Sequence, residues 1–149
     1  MAKFDLIGLG NALVDSEFHV TDSFLKKKGF EKGTMHLVDS DEQTNLLNSL
    51  EKEYGKPSLA CGGSATNTIF AASILGSSCS YICKVGNDKN GNFYLDDLSD
   101  AGVNIDHSVM LDSNINSGTC TVMVSPDAER TMSTCLGICL LYTSDAADD

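Results

Sequence analysis

The sequence predicts an α/β fold in which a mainly parallel sheet is covered by helices on both faces. Short apolar runs of strand length alternate along the chain with amphipathic stretches of helical period, as is typical of such a fold. A second set of strands alternates apolar and polar residues and predicts a small separate sheet, which can act as a lid. With 149 residues, 42% of them hydrophobic, the chain is long enough for one domain with a sizeable core.

The first predicted strands are of two kinds. Residues 4–10 form an apolar run that stops at a glycine, which is the pattern of a buried strand in an α/β sheet. Alternation of apolar and polar residues predicts half-exposed strands at 15–20 and 33–38. These two strands are the first candidates for the small sheet.

Two helices are predicted beside these strands. The first is capped by Thr21 or Asp22 and ends at Gly29. The second begins with a capping box at 40–43 and ends near Gly55. Its apolar face consists of three leucines: Leu46, Leu47 and Leu50.

The middle of the chain predicts a strand, a helix and a strand at 58–61, 64–75 and 79–85. A turn at 86–91 leads into another helix, which ends before Gly102. Three further strands follow, with a turn at 125–127 between the last two: 108–111, 118–124 and 130–136.

Composition excludes several classes of partner. A net charge of −11 and a pI near 4.4 argue against nucleic acid and anionic membranes, because both select basic surfaces. The sequence contains no apolar run of membrane-spanning length and no secretion signal, which predicts a cytoplasmic protein with reduced cysteines. The CxxxC spacings at 79–83 and 135–139 differ from that of a zinc knuckle, so no metal site is predicted.

A glycine pair after the first strand raises the possibility of a dinucleotide-binding oxidoreductase. The fingerprint requires a third glycine where this chain has Leu13, and it requires a helix where residues 15–20 alternate as a strand. No GxxxxGK[ST] phosphate loop occurs either. The oxidoreductase interpretation therefore lacks its nicotinamide-binding loop.

Polar and glycine residues suited to a small polyhydroxyl ligand occur at two places. Gly62, Gly63 and Ser64 precede a helix whose first N–H groups are available as donors, and Asn67 can donate and accept. Asn11 and Asp15 follow the first strand, at the end where open α/β sheets bind ligands. The structural alternatives are a plain strand-to-helix turn, an Asx-turn at Asn11 and a solvated Asp15.

These motifs resemble the ribokinase or PfkB family of carbohydrate and nucleoside kinases, and within it the adenosine-kinase-like branch and related bacterial sugar kinases. The resemblance runs from near residue 4 to residue 137 through five segments: GNALVD (10–15), KGTMHLVD (32–39), CGGSATNTIFAASILG (61–76), KVGNDKNGNFYLDDLSDAGV (84–103) and PDAERTMSTCLG (126–137). It implies the amino-terminal part of a ribokinase-like three-layer sandwich with a small β-sheet lid. It also implies transfer of the γ-phosphoryl group of ATP, with Mg²⁺, to a primary hydroxyl of a sugar or nucleoside.

The resemblance implies a role for each motif residue. The acceptor hydroxyls are expected to bind to five residues, with Ser64 beside them at the base or sugar rim: Asn11, Asp15, Gly62, Gly63 and Asn67. Arg130 is expected to point toward the transferring phosphate, and its alternative is a surface arginine paired with Asp127 or Glu129. Strands around 14–20, 35–38 and 109–124 are expected to form the lid, through which a homodimer could assemble.

The chain also departs from the family. It contains no GAGD motif, whose aspartate is the family's base, so residues 1–137 are expected to be the acceptor-binding part of a truncated kinase that is inactive alone. ATP and Mg²⁺ would bind mainly to the missing second half. Residues 138–149 look like translated adapter or frame-shifted sequence and are expected to be a non-native or disordered tail. The alternative function is a noncatalytic sugar- or nucleoside-binding module, and the sequence does not choose among adenosine, ribose and fructose.

Overall fold

The computed structural model describes residues 3–105, 110–111 and 114–140. The chain divides into two compact units. The core unit comprises residues 1–14, 61–118 and 136–149, and the sheet unit comprises residues 15–60 and 119–135.

Helices and strands alternate along the chain, as predicted for an α/β fold. Their bounds, in chain order, are β1 (Leu6–Leu9), β2 (Leu13–His19), α1 (Asp22–Lys28), β3 (Met35–Leu37), α2 (Ser40–Tyr54), β4 (Ser58–Gly62), α3 (Ser64–Ile74), β5 (Cys79–Ile82), β6 (Val85–Gly86), α4 (Lys89–Asp100), β7 (Asn104–Ile105), β8 (Met110–Leu111), β9 (Gly118–Val124) and β10 (Arg130–Cys135).

The core unit is built on a parallel three-stranded sheet in the order β1-β5-β7, and β6 pairs separately with β8. Helix α3 packs on β1 and β5, because its apolar side chains meet the apolar runs of those strands. The buried centre of the unit contains Ile69, Tyr81, Val85, Tyr94 and Leu98, each exposing 2% or less of its surface. This is the parallel sheet that the sequence predicts, with fewer strands.

Strand β1 corrects the prediction of a buried strand at 4–10. It is an edge strand with β5 as its one neighbour, and Leu6, Ile7 and Leu9 are exposed. An apolar run of strand length predicts burial only when the strand acquires neighbours and covering helices. In the described part of the chain β1 lacks a second neighbour, so its apolar side chains face solvent.

Strand β4 corrects the predicted strand-helix-strand unit. The strand forms, but it pairs beside β2 at the edge of a five-stranded sheet and not with β5. Ser58, Leu59 and Ala60 are exposed, as suits an edge strand of a half-solvated sheet. The predicted strand at 79–85 is also two strands, β5 and β6, because β6 turns to pair with β8.

The five-stranded sheet has the order β3-β10-β9-β2-β4 and lies mainly in the sheet unit. Strands β9 and β10 are antiparallel around the turn at 125–127, where Ala128 N donates to the carbonyl oxygen of Ser125. Helices α1 and α2 contribute to a second apolar core formed by Phe24, Leu25, Leu46, Leu50 and Met123. This sheet corresponds to the small separate sheet predicted from alternating strands, with one correction: β8, which lies in the predicted lid segment 109–124, pairs with β6 in the core unit.

The helix ends follow the predicted signals with two shifts. Thr21 caps α1 and Gly29 ends it, as predicted. The capping box of α2 uses Asp39 with Glu42, one residue before the predicted start. Helix α4 begins inside the predicted turn at 86–91, because the Asp88 side chain accepts from the N–H of Gly91 and caps the helix there.

Two predictions fall partly outside the described residues. Of the predicted strand at 108–111, the structure describes β8, and β7 just before it was not predicted. Most of the predicted tail at 138–149 also lies outside the described residues. Within the tail, Ile138 and Cys139 are buried in the core unit, and the Cys139 thiol donates to the carbonyl oxygen of Ala12 at 3.3 Å. Its non-native character stays a prediction.

None of the helices in the described residues combines the length and the apolar character that crossing a bilayer requires.

Candidate functional site

The glycine turn, formed by Gly62 and Gly63, connects β4 to α3 in the core unit. Gly63 has φ 107° and ψ 133°, a conformation that L residues with a side chain rarely adopt. A Cβ atom at this position would lie 2.7 Å from the carbonyl oxygen of Asn11 and 3.0 Å from Thr66 Oγ1. The absence of a side chain therefore lets the turn lie directly against the end of the first strand.

Three of the other predicted residues also lie in the core unit. Asn11 is half-buried and follows β1 by two residues, while Ser64 and Asn67 are exposed on the first turn of α3. The backbone N–H of Asn67 donates to the carbonyl oxygen of Gly63 at 2.9 Å, which is the first helical bond. Gly63 is the N-cap residue of α3. Because it has no side chain, it offers no oxygen atom that could accept from the backbone N–H groups of the first helical turn.

Below the turn lies a buried hydroxyl network of Thr66, Tyr81 and Tyr94. Thr66 Oγ1 donates to Tyr81 Oη at 2.9 Å, and Tyr81 Oη donates to the carbonyl oxygen of Asn11 at 3.2 Å. Tyr94 Oη contacts Thr66 Oγ1 and donates to the carbonyl oxygen of Gly62 at 3.3 Å. Sequence reasoning missed these residues, because two tyrosines and a threonine in apolar segments look like ordinary core positions.

Asp15 lies in the sheet unit, on β2. Partial burial raises the pKa of its carboxyl group to about 6, although the positive charge of Arg130 lowers it and the carboxylate of Glu17 raises it further. Its negative charge in turn contributes to the raised pKa of the Cys120 thiol, which is mainly due to burial. Asp15 is therefore not the freely solvated carboxylate of the structural alternative.

Arg130 also lies in the sheet unit, at the start of β10. Its side chain is 67% exposed, and its Nη2 atom lies 3.9 Å from Glu17 Oε2. Asp127, one of its two expected partners, instead forms an ion pair with Lys32 at 2.7 Å, and that contact lowers the pKa of Asp127 to about 2. The structure thus pairs Arg130 with Glu17 on β2, which is neither of the two predicted partners.

The structure also contains an open cleft of about 360 Å³ in the sheet unit, formed by α1 and α2. None of the predicted site residues lines it, since its lining residues are Lys27, Lys28, Ser49, Lys52 and Glu53. Among residues 3–105, 110–111 and 114–140, no group of three or more His, Cys, Asp or Glu side chains could hold a metal ion.

Comparison with known proteins gives consistent matches. The sequence pattern of the "pfkB family carbohydrate kinase" matches residues 34–147. The adenosine kinase of Saccharomyces cerevisiae is 31% identical, and the match covers 96% of this chain and 42% of that protein. The adenosine kinase 2 of Arabidopsis thaliana is 30% identical over 80% of this chain and 34% of its own length.

Solved structures show the same similarity. An adenosine kinase from Sinorhizobium meliloti superposes with a TM-score of 0.82 and 36% identity, over 93% of this chain and 41% of that one. A probable sugar kinase from Rhizobium etli has a TM-score of 0.82 and 32% identity, over 95% of this chain and 41% of its own. These matches confirm the predicted ribokinase-like fold and the resemblance to adenosine kinases, and this chain belongs to the pfkB family of carbohydrate kinases.

Proposed function

We propose that the chain forms the acceptor-binding part of a kinase that transfers a phosphoryl group from ATP to a primary hydroxyl of adenosine or a related sugar. The observation that carries the proposal is the glycine turn, which lies against the Asn11 carbonyl with Ser64 and Asn67 exposed beside it. Backbone that a ligand can approach closely, next to exposed amide donors and acceptors, suits a polyhydroxyl ligand. The adenosine kinases and the sugar kinase among the similar proteins support this class of acceptor.

The proposal gives the core unit the main part in acceptor binding. Asn11, Gly62, Gly63 and Asn67 bind the ribose or sugar hydroxyls, and Ser64 lies at the rim of the base or sugar. The side-chain amide of Asn67 offers two donor hydrogens and one acceptor oxygen, which match a pair of hydroxyl groups. Its exposure leaves that amide accessible to a ligand.

The roles proposed for the sheet unit depend on charge. Asp15 accepts hydrogen bonds from the hydroxyl groups of the sugar or nucleoside. The raised pKa of its carboxyl group, which is mainly due to burial, supports the proposal that Asp15 belongs to a partly desolvated site. Arg130 is proposed to stabilise the charge of the transferring phosphate, which its exposed guanidinium could do after leaving the weak contact with Glu17.

ATP and Mg²⁺ are proposed to bind mainly to a second half of the kinase. The chain contains no GAGD segment. It covers 41–42% of the length of the similar kinases cited first. We therefore expect the chain alone to show no phosphoryl transfer, and turnover by the purified chain would contradict this.

The five-stranded sheet is proposed to act as the lid over the acceptor. Its edge strand β3 exposes Met35 and Leu37, which supports assembly of a homodimer through this sheet. Leu37→Glu should then convert a dimer to a monomer in sedimentation velocity. A parent chain that sediments as a monomer at high concentration would contradict the dimer.

A noncatalytic sugar- or nucleoside-binding module is the second candidate. It predicts the same acceptor site. Resequencing the locus beyond codon 137 distinguishes the two functions. The kinase proposal expects the reading frame to continue into a segment with a GAGD motif, whereas a binding module expects a stop codon close after codon 137.

Acceptor binding is tested by isothermal titration of the chain with adenosine, ribose and fructose. We expect one of them to bind, and Asn67→Ala to weaken that binding by roughly tenfold, since a buried hydroxyl of the ligand loses its partner. Asn45→Ala is the matched control, because Asn45 is an exposed asparagine on α2. Equal binding by the parent, Asn67→Ala and Asn45→Ala would overturn the proposed site.

A further inference from the structure

Two backbone carbonyl groups of the proposed acceptor site accept hydrogen bonds from buried tyrosine hydroxyl groups. The Asn11 carbonyl accepts from Tyr81 Oη at 3.2 Å, and the Gly62 carbonyl accepts from Tyr94 Oη at 3.3 Å. Asn11 follows β1 and Gly62 ends β4, so the two tyrosines reach two separate segments of the chain. A single threonine, Thr66, contacts both tyrosine hydroxyl groups.

The hydroxyl network is buried and has no competing solvent. Thr66 and Tyr94 expose none of their surface, and Tyr81 exposes 1%. Burial raises the pKa of both tyrosines, so their hydroxyl groups stay protonated and remain donors near neutral pH. In such an environment, a polar group that loses its hydrogen-bond partner stays buried and unsatisfied, which costs free energy. The network therefore favours one geometry of these groups.

The hydrogens of the network are limiting. Thr66 donates to Tyr81 and Tyr81 donates to Asn11, so the single hydrogen of Tyr94 is available to one acceptor at a time, the Thr66 oxygen or the Gly62 carbonyl. The position of the glycine turn is therefore coupled through Thr66 to the position of Asn11. Gly10 leaves room for this coupling, because a Cβ there would lie 3.0 Å from Tyr81 Oη.

We propose that Tyr81 and Tyr94, joined by Thr66, are positioning residues that hold Asn11 and the glycine turn in the geometry that binds the acceptor. This inference rests on the proposed function. The tyrosines do not touch the acceptor. They fix the backbone of the residues that do, and neither tyrosine is among the site residues that the sequence predicts.

The test compares three tyrosine-to-phenylalanine variants of the whole chain, because this change removes one hydroxyl group and keeps the ring. Tyr81→Phe and Tyr94→Phe each remove a donor to a site carbonyl. Tyr54→Phe is the matched control, since the Tyr54 hydroxyl contacts Thr21 at the cap of α1 in the sheet unit. Binding of adenosine and the two sugars is measured by titration calorimetry, and local opening by amide hydrogen exchange.

We expect Tyr81→Phe and Tyr94→Phe to raise the Kd of the acceptor about five- to tenfold, as loss of one buried hydrogen bond predicts. Tyr54→Phe should stay within about twofold of the parent. Exchange should accelerate at residues 61–67 and not at residues 70–74 of the same helix. A purely structural effect on α3 would accelerate both segments together.

Each other outcome decides against the inference. If the parent binds and both variants bind equally well, the positioning role is wrong and the proposed function stands. If binding weakens while exchange accelerates uniformly along α3, the tyrosines act through general stability and the positioning role is again wrong. If the parent binds none of the three acceptors, the proposed function fails and this inference fails with it.

Discussion

The candidate residues of the core unit and those of the sheet unit are held in place by different interactions. In the core unit the glycine turn is fixed through its backbone, by close packing on Asn11 and by buried hydroxyl groups. In the sheet unit Asp15 and Arg130 are strand side chains, and the state of Asp15 depends on the charges of Arg130 and Glu17.

This difference determines which changes each region should tolerate. Backbone geometry in the core unit should be sensitive to one added methyl group and insensitive to pH. The carboxyl group of Asp15 should be sensitive to pH and tolerant of an amide of the same shape. The predictions below test this contrast in order of expected effect.

The largest effect is expected for Gly63→Ala in the core unit. The new Cβ must lie 2.7 Å from the Asn11 carbonyl oxygen, in a backbone conformation that alanine avoids. Strain and overpacking together should lower the free energy of unfolding by about 3 kcal/mol or more. Urea denaturation followed by circular dichroism measures the change.

Gly29→Ala is the matched control for that measurement. Gly29 also has a positive φ of 77°, but a Cβ at this position would meet nothing within 4 Å. It should therefore cost about 1 kcal/mol, for strain alone. Equal losses in the two variants would show that close approach to Asn11 does not fix the turn.

Asp88→Ala should give the next largest effect and compares the helix caps of the two units. In the core unit the Asp88 carboxylate accepts from Gly91 N, Ser117 N and Ser117 Oγ, all within 2.9 Å. It thus caps α4 and also binds Ser117, which is distant in sequence. Removing the carboxylate should lower the free energy of unfolding by about 3 kcal/mol, since hydrogen bonds to charged groups are among the strongest.

The corresponding variant of the sheet unit is Asp39→Ala. Asp39 caps α2 through a local capping box with Glu42, so its removal should cost about 1 kcal/mol. Thermal unfolding of both variants provides the comparison. A loss for Asp39→Ala as large as that for Asp88→Ala would contradict the contrast between local and long-range caps.

The smallest effect is expected for Asp15→Asn and depends on pH. The pKa of Asp15 is about 6 in the folded chain, against an ordinary value of 3.8, so the folded state holds the proton more tightly. Asp15 therefore makes the parent less stable as pH rises from about 4 to about 6, and this loss persists above pH 6.

Asparagine does not titrate, so Asp15→Asn removes this pH-dependent loss of stability. The stability of Asp15→Asn relative to the parent should rise by about 1 kcal/mol between pH 4 and pH 6.5, a figure discounted for the partial exposure of the carboxyl group. Chemical denaturation at several pH values measures the difference. A difference that does not change with pH would show that burial does not perturb Asp15.

Local signals explain why much of the fold could be predicted. The ends of α1, the strand β9 and the turn at 125–127 are determined by neighbouring residues, and the sequence predicts each of them correctly. The glycine turn before α3 is local in the same sense, because two glycines before a helix predict it directly.

Contacts between distant residues could not be predicted. The Thr66 hydroxyl meets Tyr81 and Tyr94 across separations of 15 and 28 residues, and apolar surroundings made all three look like core. The two partners considered for Arg130 were its neighbours in sequence, whereas Glu17 lies on another strand. The edge positions of β1 and β4 depend likewise on which strands pair.

The most direct test of the proposed acceptor site is a titration of the ¹⁵N-labelled chain with adenosine, followed by amide chemical shifts. The site proposed for the core unit predicts saturable shifts concentrated at Asn11, Gly62, Gly63, Ser64 and Asn67. Saturable shifts confined to the lysine-lined cleft of the sheet unit, or none with adenosine, ribose or fructose, would contradict it.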